Sequence, residues 1–133
     1  MVPVRGALTR TQQLSELADS IKKGGIYSVR VADDEAGIEG SFWLCRVLKK
    51  PEQATSDILH CGDHFKAGAW LVDIKWLSFQ KTNSSGGRVY KELSPKAVIS
   101  VGCIIDIGAV CVSTDRNFRV LSQAEHARIA SST

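Results

Sequence analysis

The sequence has little of several residue types that mark specialised classes of protein. Its 133 residues include three prolines and one methionine, and the three Trp, two Tyr and four Phe make up 7% of the chain. No apolar run reaches the roughly 18 residues that a membrane-spanning helix needs. These shortages exclude a membrane protein, a collagen and a coiled coil.

The remaining composition is typical of one folded domain. Hydrophobic residues make up 44% of the chain and charged residues 23%, a balance that excludes a disordered tail. The length leaves little room for a second core, which excludes a multidomain enzyme. The net charge of +3 is small for a dedicated nucleic-acid binder, although it permits a local basic patch.

The N-terminus and the cysteines predict an intracellular protein. The first residues contain no apolar run of signal-peptide length, so we expect the chain to stay inside a cell and its four cysteines to be reduced thiols. Cys45, Cys103 and Cys111 lie in apolar runs, where we expect them to be buried.

The hydrophobic period predicts a mainly β fold between two helices. Apolar residues repeat with helical spacing over 9–23, and the period then changes to two in a strand at 26–31. The turn-forming residues at 83–87 predict a β-hairpin over 70–93. Ser122 and Glu125 fit a capping box at the start of a C-terminal helix. Further short strands are predicted at 42–48, 98–105, 109–112 and 118–121, with a polar loop over 51–68. Short strands separated by turns favour a small barrel or sandwich.

Catalytic motifs are not recognisable, so we expect neither an enzyme nor a cofactor. None of the three histidines stands in a nucleophile motif, and no glycine-rich phosphate loop precedes a helix. One segment could bind zinc, because His60, Cys61 and His64 place three ligands within five residues. The alternative interpretation is a polar loop with exposed histidines, since no second pair of ligands accompanies them.

The basic residues concentrate in the window from 74 to 96. That window holds five cations against the single acid Glu92, so its charge is +4 and the remainder of the chain is −1. A hairpin with these charges could lie on a phosphate backbone. The alternative is a solubilising face in which lysines protect an edge strand. The candidate nucleic-acid-binding residues are Lys75, Lys81, Arg88, Lys91 and Lys96.

The aromatic residues suggest a site for a protein ligand. Trp43 and Trp76 stand in the most apolar strands, where we expect them to be core residues. Small barrels that recognise methylated lysine surround the cation with aromatic rings and often add a carboxylate. The candidate ligand-binding residues are Trp70, Phe79 and Tyr90, with Asp73 and Glu92 as acidic partners.

Five segments between residues 25 and 121 together carry a resemblance to a known family. They are Gly25-Ile-Tyr-Ser-Val-Arg-Val, Phe42-Trp-Leu-Cys-Arg-Val-Leu, Trp70-Leu-Val-Asp-Ile-Lys-Trp-Leu, Lys91-Glu-Leu-Ser and Val98-Ile-Ser-Val-Gly-Cys-Ile-Ile-Asp-Ile-Gly-Ala-Val. In this order they resemble a bromo-adjacent homology (BAH) domain. The resemblance implies an SH3-like or BAH-like barrel in the nucleus that binds a histone peptide or another chromatin-associated protein.

The expected organisation is therefore one binding module with two extensions. A helical extension at 1–24 packs on a β-barrel at 25–121, and a short helix with a frayed tail follows at 122–133. We expect no membrane partner. Other SH3-like barrels share much of the pattern, so a DNA-binding barrel of the kind found in mobile-element or viral proteins is the first alternative. A small zinc-binding domain is the second.

Overall fold

The protein is mainly β, with an antiparallel sheet and two α-helices. The structure is a computed structural model that describes residues 10–31, 42–60 and 63–132. Its elements in chain order are α1 Arg10–Ser20, β1 Ile26–Arg30, β2 Phe42–Val47, β3 Glu52–Gln53, β4 Ile58–His60, β5 Asp63–Phe65, β6 Trp70–Thr82, β7 Arg88–Ser100, a 3₁₀ turn Val101–Cys103, β8 Ser113–Asp115, β9 Phe118–Leu121 and α2 Gln123–Ala130.

The sheet is built around the β6–β7 hairpin. Its strand order is β1-β2-β6-β7-β9-β8, and β3 adds to the end of β6 beyond β2. β4 and β5 form a separate two-stranded hairpin. The hairpin predicted over 70–93 is confirmed. The polar loop predicted over 51–68 is wrong in part, since it contains three short strands.

β7 is longer than the sequence pattern predicts, because a bulge carries it past a proline. Lys75 pairs with Lys96 and Leu77 pairs with Glu92, so three residues of β7 stand opposite the single Trp76. Pro95 lies in this bulge, where its missing N–H costs no ladder hydrogen bond. The separate strand expected at 98–105 is therefore the end of β7 up to residue 100, and no strand forms at 109–112.

The described strands do not pair into a closed ring, since β1 and β8 end the strand order. The free edge of β1 is covered by the segment after the 3₁₀ turn. Val29 forms an isolated bridge with Ile104, and the Ile105 and Val110 N–H groups donate to the carbonyls of Ser28 and Ile26 over 2.9 and 2.7 Å. A closed barrel is not confirmed, although the edge of β1 is satisfied.

Each face of the sheet has its own hydrophobic core, which explains why every residue of β2 except Arg46 is apolar. On one face, Ala18 and Ile21, from α1 and the residue just after it, pack with Cys45 and Val72. On the other face, Ile129 of α2 packs in a cluster that includes Phe42. We call these the α1 face and the α2 face of the sheet.

The end of α2 nearest the sheet is held by a buried carboxylate. Ser122 caps the helix as predicted, because its hydroxyl accepts a hydrogen bond of 3.1 Å from the Glu125 N–H. The Glu125 carboxylate accepts from the Cys111 N–H over 2.9 Å and from Arg128, which also donates to the Ile107 carbonyl over 3.0 Å. α2 is thereby tied to the segment that covers β1.

Tyr27 joins the end of α1 to the sheet. Its hydroxyl accepts a hydrogen bond of 2.8 Å from the Lys22 N–H, just beyond the last helical residue. A Cβ atom on Gly25 would lie 2.8 Å from Cε2 of the Tyr27 ring, so only glycine lets the chain pass this close. Tyr27 therefore satisfies a backbone donor at the helix end and sets the spacing between α1 and β1.

Replacement of Tyr27 by Phe should lower the free energy of unfolding by about 1 kcal/mol, because the Lys22 N–H loses its acceptor while the ring packing remains. Urea unfolding of the wild type and of Tyr27→Phe measures the difference. Ser20→Ala is the control: it removes the exposed 2.7 Å hydrogen bond to the Leu17 carbonyl and should change stability by less. Equal losses in the two variants would contradict the role assigned to Tyr27.

Candidate binding surface

Two tryptophans form an aromatic pair on the α1 face. Trp43 of β2 and Trp76 of β6 make a T-shaped contact with their ring centroids 5.4 Å apart. Cys45 pairs with Trp76 across the two strands, and Trp43 stands two residues before Cys45, so both indoles project from the same face. Both side chains are only half-buried.

The same face continues across β7 and β9. Ser78 of β6 pairs with Lys91, and Lys91 pairs with Phe118. Because directly paired residues project from one side of a sheet, these side chains share the face of Trp76. Phe118 is 36% exposed and Lys91 is exposed. We call this surface the tryptophan face; its residues are Trp43, Trp76, Ser78, Lys91 and Phe118.

The tryptophan face is only partly buried, and α1 is much shorter than the strand beneath it. α1 has 11 residues and is about 16 Å long, whereas the 13 residues of β6 extend over about 43 Å. Ala18 of α1 packs in the cluster that contains Val72, and Trp70 and Trp76 both pack half-buried against this cluster. The prediction that Trp43 and Trp76 are core residues is therefore wrong in part. Comparing the predicted length of α1 with that of β6 could have located this site from the sequence.

The predicted ligand-binding residues do not form one site. Trp70 is half-buried at the start of β6, nine residues before Phe79 and about 30 Å from it along the strand. Phe79 contacts Tyr90 with ring centroids 5.8 Å apart, on the α2 face. Tyr90 is only 2% exposed, so the expectation that it is partly exposed is wrong. The strand pairing places it in the core.

The two predicted acidic partners already contact cations of the same chain. A carboxylate oxygen of Asp73 lies 3.5 Å from the ammonium of Lys49. Glu92 forms a bidentate pair with Arg46, in which Nε donates to Oε1 and Nη2 donates to Oε2 over 3.2 Å. This pair lowers the pKa of Glu92, chiefly through the hydrogen bond from Arg46.

The predicted basic residues lie on both faces of the hairpin. Arg46 of β2 pairs with Lys75 of β6, and Lys75 pairs with Lys96 of β7, which puts three cations side by side on the α2 face. We call these three residues the cationic row. Glu92 neutralises part of its charge. By the same register Lys81 and Lys91 belong to the α1 face, so the five predicted cations do not make one patch.

Most of the predicted zinc ligands lie outside the residues that the structure describes. Cys61 and the side chain of His60 lie outside the described residues. His64 is exposed, and its Nε2 atom lies 3.9 Å from Oδ2 of Asp57. The zinc site therefore stays a prediction.

The cysteines differ in their surroundings. Cys45 is buried in the core on the α1 face, and burial raises the pKa of its thiol to about 12. A thiol with this pKa stays protonated and unreactive at neutral pH. Cys103 and Cys111 are exposed, so the prediction that they are buried is wrong. Cys103 is the last residue of the 3₁₀ turn, and Cys111 lies in the irregular segment before β8. Neither residue is in a strand of the sheet, so an apolar neighbourhood in sequence does not bury them.

Glu92 should make stability depend on pH in the acid range. Because its pKa is lowered in the folded state, the pair with Arg46 stabilises the fold above the unfolded pKa of about 4.3, and this contribution is lost as the pH falls through the folded pKa. Free energies of unfolding of Glu92→Gln, measured in urea from pH 6 to pH 3, should therefore decrease less steeply than those of the wild type. Glu125→Gln serves as the comparison variant, because it removes the other carboxylate whose pKa is lowered in the folded state. An unchanged slope in Glu92→Gln would contradict the prediction.

The comparisons and searches return no match for the chain. No family model, no curated protein and no solved structure matches it.

Within the described ranges, neither helix is long and apolar enough to cross a membrane. The His, Cys, Asp and Glu side chains that the structure describes contain no group of three or more that could hold a metal ion.

Proposed function

We propose that the chain is a non-catalytic binding module that binds a segment of a protein partner on the tryptophan face. The observation that carries the proposal is the pair of Trp43 and Trp76, which stays half-buried on the α1 face of the sheet. Tryptophan supplies a large, rigid contact area at low entropic cost and is enriched in the residues that contribute most to binding.

The path of the chain supports an SH3-like or BAH-like barrel as the fold of this module. Closing a small sheet requires a late segment to reach the free edge of the first strand. After the 3₁₀ turn, residues 104–110 run along the edge of β1 through the Val29–Ile104 bridge and two further hydrogen bonds. The bulges in β6 and β7 supply the bending that closure needs.

The proposed partner is a histone peptide or another chromatin-associated protein in the nucleus. An indole face attracts a lysine ammonium or its methylated forms. Asp115 of β8 pairs with Phe118, so an exposed carboxylate stands at the rim of the same face. A segment that carries a cationic side chain between apolar neighbours fits this arrangement.

The cationic row supports a second function, binding to nucleic acid. Lys75 and Lys96 are direct cross-strand neighbours, and Glu92, which is paired with Arg46, offsets only part of the positive charge of the row. Phosphate groups of a nucleic acid can supply the further negative charge. The row contains two of the five residues expected from the sequence and adds Arg46.

A histone-peptide array should show selective binding that depends on the tryptophan face. Phe118→Ala removes an exposed ring of this face and should weaken binding about five- to tenfold, since loss of a central aromatic contact costs about 1 kcal/mol or more. Trp76→Ala should abolish detectable binding. Fluorescence anisotropy with the selected peptide measures the affinities, and circular dichroism checks that the variants are folded.

Trp70→Ala is the matched control, because it removes the same half-buried side chain from the same strand, six residues away from Trp76. It should keep the peptide affinity within about twofold. Weaker binding in Trp70→Ala with unchanged binding in Phe118→Ala would move the site to the position expected from sequence. A blank array would contradict a histone partner.

Binding to a random DNA duplex tests the second function. If the cationic row contacts phosphates, affinity should fall steeply with salt, and Lys75→Gln and Lys96→Gln should each reduce the slope of log K against log salt by about one. Lys66→Gln, an exposed lysine outside the row, is the control and should leave the slope unchanged. A salt-independent affinity would rule out this function.

A further inference from the structure

A small cleft lies between the tip of the β6–β7 hairpin and the start of α2. Its volume is about 230 Å³, and it is lined by Thr82, Gly86, Arg88, Gln123 and His126. One molecule of liquid water occupies about 30 Å³, so the cleft has room for a small ion together with some of its water. None of the five lining residues is acidic.

Arg88 brings an uncompensated charge to this cleft. Its Nη1 atom is inaccessible to solvent and has no hydrogen-bond acceptor among the described residues, and none of the described ion pairs includes Arg88. The guanidinium is held in place by the ring of Phe79, whose centroid lies 5.3 Å from Cζ. An arginine side chain that lines a cleft and has no acidic partner attracts an anion into that cleft.

The other side chains of the cleft can donate hydrogen bonds. The ring of His126 packs against Phe42 with centroids 5.2 Å apart. Its pKa is lowered, first by burial and then by the positive charge of Arg88, so the two groups act on each other without an intervening acid. The Gln123 side chain is held against the turn, since a Cβ on Gly86 would lie 2.4 Å from its Nε2 atom. Thr82 pairs directly with Arg88 and adds a hydroxyl.

We propose that this cleft is a binding site for a phosphate group, either inorganic phosphate or a small phosphomonoester. The guanidinium of Arg88 matches two oxygens of a tetrahedral anion. The remaining oxygens are left for the imidazole of His126, the amide of Gln123 and the hydroxyl of Thr82. A carboxylate has only two oxygens and would use fewer of these donors. The site is separate from the tryptophan face and does not depend on it.

Titration of the protein with inorganic phosphate, followed by NMR at constant ionic strength, tests the proposal. The ring signals of His126 and the Nε–H signal of Arg88 should shift saturably, and the pKa of His126 should rise because the anion offsets the charge of Arg88. Phosphoserine added in the same way distinguishes a phosphomonoester from free phosphate as the preferred ligand. Acetate should cause no saturable shift.

Two variants and one control locate the binding. Arg88→Gln should weaken phosphate binding at least about tenfold, as expected for loss of hydrogen bonds from a charged donor. Gln123→Ala, at an exposed helix start, should preserve the fold and weaken binding about threefold. Lys66→Gln removes one positive charge at an exposed position outside both the cleft and the cationic row, and it should leave binding unchanged. Equal losses in Lys66→Gln and Arg88→Gln, or equal shifts with acetate, would overturn the proposal.

Discussion

The antiparallel pairing of β6 with β7 is the interaction on which the rest of the structure depends. Both strands have 13 residues, and β2, β3 and β9 all pair with one or the other. The hairpin also separates the two hydrophobic cores, one beneath each helix. A strand in a sheet that is buried on both sides needs apolar residues at its odd-numbered and its even-numbered positions. This is why β2 shows no alternation of polar and apolar residues.

The length of this hairpin also explains where the candidate sites lie. The two helices, of 11 and 8 residues, cover only part of each face. On the α1 face, Trp43 and Trp76 stay half-buried, and on the α2 face the cationic row stays half-buried or exposed. The proposed phosphate cleft differs from both, because residues of α2 line it where the helix begins against the hairpin tip.

Local patterns were enough to predict the elements whose cause is local. The turn at 83–87 is formed by Asn83, whose carboxamide accepts from the N–H groups of Ser85 and Gly87 over 3.0 and 2.8 Å. The cap at Ser122 is equally local. The course of β7 was not predictable in this way, because the pattern breaks at Pro95 and only the pairing with β6 shows that the strand continues. The predicted ligand-binding residues Trp70, Phe79 and Tyr90 do not form one site for a similar reason. The distance between two residues along a strand and the burial of a residue by a partner strand are properties of the sheet.

The sequence by itself determined a mainly β chain with a helix at each end of the described part, a central hairpin and a capped second helix. These follow from periodicity, turn chemistry and capping, which act over a few residues. The tertiary structure alone decided which tryptophans remain accessible, that Glu92 is paired with Arg46, and that Arg88 has no described acceptor. These properties depend on contacts between residues far apart in the chain, such as the 46 positions between Arg46 and Glu92, and no local pattern records them.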